Sequence, residues 1–209
     1  ELLPVYDRPI IEHVVAEAID AGIEKVIFVT RSGKEAIENH FDANYELEHR
    51  LEKKGKENVL GRLRNIIPKN IQLMSIRQPD ALGLGHAVLC AEHLIENDPF
   101  AVLLPDVLVW DKSTNKRNHS FCKLVQAWNE TGIGQIMVER VHEEAVEKYG
   151  IADLGGEHSR PFESKPLRGL IEKPAVKSAP TNLAVLGRYV LPPEAVSYTH
   201  LTLPTIVGV

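Results

Sequence analysis

The order of secondary-structure patterns along the 209-residue chain predicts an α/β protein whose mixed, mostly parallel sheet is flanked by helices. As far as Gln135, short apolar runs alternate with helical patterns, and this order is typical of parallel strands joined by helices. From Gln135 onward, candidate strands follow one another with few helical patterns between them. The later part of the chain therefore makes the sheet mixed.

The first helix is predicted over residues 9–19, where apolar side chains recur on one helical face. Asp7 stands near its start, Pro9 falls in its first turn and Gly22 follows its end, as expected at helix boundaries. The next run, Lys25–Thr30, is continuous, apolar and rich in β-branched residues. Such a run fits a parallel strand that is buried on both faces.

The remaining elements are, in chain order, helical segments over 34–63, a strand at 71–76, a helix at 86–95, a strand at 100–104, a helix at 120–130, and strands at 135–141, 169–172 and 183–191. A polar loop spans residues 155–166. No internal repeat or low-complexity linker separates these elements. We therefore predict one domain over residues 1–195.

Charge and composition exclude several classes of protein. The chain has 24 Lys and Arg residues against 29 Asp and Glu residues, a net charge of −5, and so lacks the basic field that nucleic acid or an anionic membrane surface would need. No apolar run reaches the length of a membrane span. The two cysteines, Cys90 and Cys122, show neither a disulfide framework nor a metal-ligand spacing, which indicates buried thiols in a reducing cytoplasm.

Ligands of open α/β sheets bind beyond the carboxyl ends of the strands, so polar residues that follow predicted strands are candidate site residues. Gln78 follows one strand, and its amide both donates and accepts, as recognition of a planar base requires. Gly83 and Gly85 come next and open a helix, where backbone N–H groups lie open to a ligand. Alternatively, Gln78 is an exposed polar loop residue, and Gly83 and Gly85 form a structural turn.

Two further strand ends carry charged residues. Asp106 ends the apolar strand at 100–104 and could hold a divalent cation on a phosphate; alternatively, it caps a turn after Pro105. Glu172 could accept hydrogen bonds from sugar hydroxyls, and Lys173 could bind a phosphate. Alternatively, Glu172 and Lys173 form a solvated charge pair.

One helical face carries His86, Cys90 and His93, which could ligate a metal. A structural zinc site needs four ligands, and a thiol on an amphipathic helix is usually part of the core, so the core interpretation is favoured. No Gly-x-Ser-x-Gly elbow or Cys/His pair indicates covalent catalysis.

Taken together, ten stretches of the chain resemble bacterial UTP–glucose-1-phosphate uridylyltransferases. These are residues 1–11, 28–30, 37–42, 77–78, 83–91, 99–106, 135–139, 148–151, 171–174 and 182–190. Two of them, Ile-Glu-Asn-His-Phe-Asp at 37–42 and Gly-Leu-Gly-His-Ala-Val at 83–88, occur in this order and separate this family from the related thymidylyl and adenylyl transferases of the same superfamily.

The resemblance implies a Rossmann-like nucleotidyltransferase that forms UDP-glucose and pyrophosphate from UTP and glucose 1-phosphate, with Mg²⁺ as cofactor. It also implies a cytoplasmic protein, homo-oligomeric in its full-length form. The site residues that it implies are Gln78 and Gly83 for uracil, Asp106 for Mg²⁺, Gly150 and Glu172 for glucose, Lys173 for the sugar phosphate, and Asn182 for substrate. Of these, Lys173 and Asp106 are the expected catalytic residues.

Both ends of the chain suggest a fragment. The chain begins with Glu1 rather than Met, and it lacks the Gly-rich loop with its Arg and the following Lys that the family carries upstream. The family's second metal-binding Asp and its dimerisation region also lie beyond the matching residues. Residues 196–209 resemble a translated sequencing adapter, so we expect a non-native tail there and an inactive chain.

Two other functions remain compatible with the sequence. A non-catalytic sensor of nucleotide sugars would keep Gln78, Glu172 and Lys173 without the triphosphate loop. A thymidylyltransferase of the same superfamily would use dTTP in place of UTP. The gene sequence upstream of Glu1 would test the first alternative, and competition between the two nucleotides would test the second.

Overall fold

The computed structural model describes residues 1–110, 119–157 and 159–197 of the chain. It forms two compact units, Glu1–Leu94 and Ile95–Val209. Of the tail predicted at 196–209, only Val196 and Ser197 lie within the described residues, and Val196 is buried. No helix in the described ranges is both long and apolar enough to cross a membrane.

The first unit is built around a parallel pair of strands. Its elements are β1 (Pro4–Val5), β2 (Arg8–Pro9), α1 (Ile10–Asp20), β3 (Lys25–Thr30), α2 (Glu35–Phe41), α3 (Tyr45–Lys53), α4 (Glu57–Arg64), β4 (Gln72–Arg77) and α5 (Leu84–Cys90), followed by α6 (Glu92–Ile95). Strands β3 and β4 pair in parallel from Lys25 opposite Gln72 to Thr30 opposite Arg77. The parallel strand predicted at Lys25–Thr30 is confirmed.

The core of the first unit lies between α1, β3 and α2. Ile11 and Val15 of α1 pack with Phe28 of β3 and Ile37 of α2, and each of these side chains is less than 9% exposed. The apolar face predicted for the first helix therefore covers the sheet. Asp7 lies in the turn between β1 and β2 instead of at the start of α1, because β1 and β2 pair as a small antiparallel hairpin there.

The second unit is a five-stranded antiparallel sheet with one long helix. Its elements are β5 (Phe100–Leu103), α7 (His119–Thr131), β6 (Gln135–Arg140), β7 (Gly150–Asp153), β8 (Gly169–Glu172) and β9 (Leu183–Leu191), with 3₁₀ helices at Glu143–Lys148 and Val176–Ser178. Strand β7 was not predicted.

Strand β9 lies at the centre of this sheet. On one edge it pairs with β6 along most of its length, and on the other edge it pairs first with β7, at Ala184 opposite Ile151, and then with β5, at Arg188 opposite Leu103. Gly187 stands where the partner changes. Its φ is +64°, and a Cβ there would come within 2.8 Å of the Leu104 side chain, so only glycine fits this close approach.

The sequence predicted both parallel and antiparallel strands, and this is confirmed, but the prediction of a mostly parallel sheet is wrong. Among the described residues, β3 and β4 form the one parallel pair, and every strand pair of the second unit is antiparallel. Strands β5 and β6 both run antiparallel to β9, so they are parallel to each other, as the strand–helix–strand order of β5, α7 and β6 predicted. However, β9 is inserted between them. The sequence order could not show this, because β9 follows β5 and β6 in the chain and its place depends on hydrogen bonding between distant segments.

Candidate functional site

Of the predicted site residues, Gln78 and Gly83 lie in the first unit and the others lie in the second. Gln78 directly follows β4, and its backbone N–H donates to the Thr30 carbonyl at 2.8 Å, which continues the parallel pairing by one residue. Gly83 has a φ of +93° and directly precedes α5, so the prediction that this glycine opens a helix is confirmed.

The side chain of Gln78 connects the end of β4 to α5. Its Nε2 donates to the Gly83 carbonyl at 3.0 Å and lies 3.1 Å from Nδ1 of His86. The Nε2 of His86 in turn lies 3.9 Å from Sγ of Cys90. These four residues, Gln78, Gly83, His86 and Cys90, form what we call the amide cluster.

The metal site considered for His86, Cys90 and His93 does not form. α5 ends at Cys90 and α6 begins at Glu92, so His93 lies on a different helix from the other two residues. Within the described residues, no three His, Cys, Asp or Glu side chains are grouped as metal ligands. Cys90 and Cys122 form no disulfide. Each is half-buried, whereas the sequence predicted buried thiols.

In the second unit, a buried arginine holds the loop that carries Asp106. Arg188 of β9 is 0% exposed, and its guanidinium donates to the Leu104 carbonyl at 2.7 Å and to the Val107 carbonyl at 2.9 Å. These two carbonyls flank Asp106, whose side chain is exposed. The carboxylate therefore faces solvent from a loop whose backbone is held at both ends.

Gly150 and Glu172 face each other across β7 and β8. A Cβ on Gly150 would lie 3.1 Å from Oε2 of Glu172, so the absent side chain leaves room for this carboxylate. The predicted pair of substrate-binding residues is thus brought together by strand register. Its members lie where β7 begins and β8 ends.

Lys173 follows directly after β8 and has a left-handed backbone, with a φ of +44°. Its N–H donates to the Tyr149 carbonyl at 3.0 Å, and its Nζ lies 3.6 Å from Oε1 of Glu172. The side chains of Lys173 and Glu172 are 62% and 37% exposed, so their ion pair contributes little to stability and both charges are accessible to a ligand. Unusual backbone at a lysine is the kind of strain that folds retain at functional sites.

Tyr189 of β9 connects Asp106 electrostatically with Glu172. Burial raises the pKa of its phenol above the ordinary value of 10.0, and the negative charges of Glu172 and Asp106 raise it further. Both carboxylates thus contribute to the raised pKa of one phenol. We call Asp106, Gly150, Glu172, Lys173 and Tyr189 the strand-end cluster.

Asn182 has a different position from the strand-end cluster. Its Nδ2 donates to the Val141 carbonyl at 2.9 Å, and its Oδ1 accepts from Arg140 at 3.4 Å, so the side chain ties the end of β6 to the start of β9. Asn182 also lines a cleft of about 440 Å³. The other lining residues are Arg140, Glu143, Val146, Gly156, Glu157, Ser159, Val176, Ala179, Pro180, Thr181 and Leu183.

Sequence reasoning missed the structural roles of Tyr189, Arg188 and His86. Arg188 had a detectable signal, because it is the one charged residue in the apolar run Leu183–Leu191. A charge in such a run is either exposed at an edge or buried with partners. For Tyr189 no local signal existed, since its register partners, Val102 of β5 and Ile136 of β6, come from distant segments of the chain.

Comparison with known proteins agrees with the fold. The sequence model of the family described as Nucleotidyl transferase matches residues 1–203. A UDP-glucose pyrophosphorylase from Acinetobacter baumannii superposes with a TM-score of 0.89 at 46% identity, covering 98% of this chain and 70% of that one. A UTP-bound UGPase from the same species gives a TM-score of 0.91 at 46% identity, covering 97% and 70%.

Two curated relatives share the same name. The UTP–glucose-1-phosphate uridylyltransferase of Haemophilus influenzae is 48% identical over 190 residues, which are 91% of this chain and 64% of that protein. The enzyme of the same name from Bacillus subtilis is 41% identical over 199 residues, 95% of this chain and 65% of that protein. This chain thus spans slightly less than two thirds of the length of these relatives. With the match over residues 1–203, the chain belongs to the nucleotidyl transferase family.

Proposed function

We propose that the whole protein transfers a uridylyl group from UTP to glucose 1-phosphate, forming UDP-glucose and pyrophosphate. The observation that carries this proposal is the strand-end cluster. In this cluster Gly150 lies opposite Glu172, Lys173 directly follows Glu172, and the carboxylates of Glu172 and Asp106 both act on the phenol of Tyr189. The names of the relatives at 41–48% identity support the choice of UTP and glucose 1-phosphate.

The reaction needs no nucleophile from the protein. A phosphate oxygen of glucose 1-phosphate attacks the α-phosphorus of UTP, a new P–O bond forms, and the bond to the β-phosphate oxygen breaks to release pyrophosphate. Two anionic groups must approach, so the protein contributes orientation and positive charge. We propose that Lys173 binds the phosphate of the sugar and that Glu172 accepts hydrogen bonds from its hydroxyls beside Gly150.

The residues present fit Mg²⁺. An exposed carboxylate on a loop with a fixed backbone is the type of ligand that Mg²⁺ uses together with substrate phosphates and water, without a closed protein cage. Asp106 would hold the ion, which when bound supplies positive charge to phosphate oxygens.

Because of the family resemblance, we propose that the amide cluster binds the uracil base of UTP and that Gln78 and Gly83 contact it. On the same resemblance we propose that the whole protein is a cytoplasmic homo-oligomer, that Asn182 takes part in substrate binding, and that residues 1–195 are part of one nucleotidyltransferase domain followed by a non-native tail. Light scattering of the whole protein would test the oligomeric state.

The proposal is tested by supplying the whole protein with glucose 1-phosphate and UTP, dTTP, CTP or ATP in turn, and by measuring pyrophosphate release. We expect release to be fastest with UTP and to depend on Mg²⁺. Binding of UDP-glucose without any turnover would favour the sensor, and faster release with dTTP would favour a thymidylyltransferase. Either result would contradict the proposal.

A further inference from the structure

The amide of Gln78 is oriented by two contacts that do not involve a ligand. Its Nε2 lies 3.0 Å from the Gly83 carbonyl oxygen and 3.1 Å from Nδ1 of His86. A carbonyl oxygen only accepts hydrogen bonds, so the amide nitrogen, and not Oε1, must face Gly83. Gly83 thereby fixes which way the amide is turned.

The same contacts fix the proton on His86. Because Nε2 of Gln78 is a donor, Nδ1 of His86 must accept, and a neutral imidazole that accepts at Nδ1 carries its proton on Nε2. That N–H lies 3.9 Å from Sγ of Cys90, which is a weak acceptor. Hydrogen bonding therefore runs in one direction, from Gln78 to His86 and from His86 toward Cys90.

Both amide hydrogens of Gln78 are used in this arrangement, one by Gly83 and one by His86. Its backbone N–H is also used, by the Thr30 carbonyl. The group that Gln78 can offer to a base is then Oε1, which accepts only. Uracil and thymine carry a ring N–H at N3 that can donate to such an oxygen, whereas N3 of cytosine is itself an acceptor.

We propose that His86 is a positioning residue that makes Gln78 an acceptor-only contact, so that the amide cluster binds pyrimidines with an N3–H and rejects cytosine. This inference rests on the proposed function, because it takes uracil as the base at Gln78. It also implies that Gln78 does not distinguish uracil from thymine, since both donate from N3. Any preference for UTP over dTTP arises at other contacts.

Two variants of His86 separate this role from simple packing. In His86→Leu, a carbon replaces Nδ1, so the Gly83 carbonyl alone holds the amide of Gln78, and the amide can turn to donate to cytosine. In His86→Asn, Oδ1 can occupy the position of Nδ1 and accept as the imidazole does. His93→Leu is the matched control, because it makes the same change at an exposed histidine on α6.

The measurement is the affinity of the whole protein for UTP and CTP by isothermal titration calorimetry. We expect the unaltered protein to prefer UTP by roughly tenfold or more, because Oε1 of Gln78 and N3 of cytosine are both acceptors and neither can supply a hydrogen to the other. The preference should fall to about threefold or less in His86→Leu and return in His86→Asn. An unchanged preference in His86→Leu would overturn the inference and leave the proposed function standing.

A second measurement needs no variant. Long-range ¹H–¹⁵N correlation NMR of the unaltered chain reports which imidazole nitrogen carries the proton, and we expect Nε2 of His86. A proton on Nδ1 would overturn the inference even if His86→Leu does not fold. Binding of neither UTP nor CTP by the unaltered whole protein would count against the proposed function itself, and so against the inference that depends on it.

Discussion

The amide cluster and the strand-end cluster are built in different ways. In the amide cluster, hydrogen bonds join residues that are no more than eight positions apart, across one turn and the first helical turns of α5. In the strand-end cluster, the loop of Asp106 is held by Arg188, which bonds the Leu104 carbonyl from 84 positions away. The first cluster depends on local backbone, and the second depends on the register of a whole sheet.

This difference has an energetic consequence. A local cluster requires only that its turn and helix form, whereas strands β5, β7, β8 and β9 must all be in register before the strand-end residues meet. Changes at the long-range contacts should therefore affect the stability of the second unit as well as its site. Removal of an exposed charge in the strand-end cluster should instead affect binding and turnover more than stability.

The largest effect on stability is expected for Arg188→Met. This change leaves the Leu104 and Val107 carbonyls without their buried donor, and each such loss costs roughly 1–3 kcal/mol. Urea unfolding should show a loss of about 2–5 kcal/mol. Arg62→Met is the control, because that side chain is 72% exposed and its removal should cost less than about 1 kcal/mol. Equal losses in the two variants would show that the buried arginine has no such role.

Asp106→Asn should separate function from folding. The change keeps the shape of the side chain and removes the charge that would hold Mg²⁺, so turnover of the whole protein should fall about 10²–10³-fold. Its unfolding free energy should change by less than about 1 kcal/mol, since the side chain is exposed. The measurement is the turnover rate of the variant and of the unaltered whole protein as a function of Mg²⁺ concentration. A variant with unaltered rate and metal dependence would reduce Asp106 to a turn residue.

Two replacements of Lys173 should differ in stability and agree in function. Both Lys173→Ala and Lys173→Gly remove the ammonium group, so kcat/KM for glucose 1-phosphate should fall strongly in each. Glycine adopts a φ of +44° without the strain that a Cβ causes, so Lys173→Gly should be about 1 kcal/mol more stable than Lys173→Ala. Thermal unfolding measures the difference. The reverse order of stability would show that the backbone is not strained.

Gly150→Ala should weaken sugar binding by a smaller amount. Its Cβ would lie 3.1 Å from Oε2 of Glu172, and the flexible carboxylate has to move by a few tenths of an ångström. We expect KM for glucose 1-phosphate to rise roughly fivefold, since displaced contacts weaken binding. Gly169→Ala on the neighbouring strand is the control, because nothing lies within 4 Å of its Cβ. A similar KM in the two variants would contradict a role for the gap.

The smallest effect concerns the phenol of Tyr189. Its pKa is raised by burial and by the charges of Glu172 and Asp106, so the neutral phenol is favoured in the folded state. The resulting stabilisation is fully present below pH 10.0 and is lost as the pH rises through the raised pKa. Absorbance titration near 295 nm should show one tyrosine that ionises late and is absent in Tyr189→Phe. In Asp106→Asn its pKa should move toward the ordinary value; no movement would place Asp106 away from Tyr189.

Much of the fold follows from local sequence patterns. The apolar run Lys25–Thr30 predicted a parallel strand, and the helix at 120–130 is observed as His119–Thr131. The helical segments predicted over 34–63 are confirmed as three helices, α2 to α4. The pattern also predicted that Gly83 opens a helix, because a helix start depends on residues next to it in the chain.

The sequence by itself determined the types and order of most elements and the polar residues that follow the strands. Only the tertiary structure decided which of these residues are neighbours. It inserted β9 between β5 and β6, set Gly150 opposite Glu172, and paired Tyr189 with strands β5 and β6. The physical reason is that strand register and the burial of a charged group such as Arg188 depend on partners from distant segments, and no pattern of adjacent residues encodes those partners.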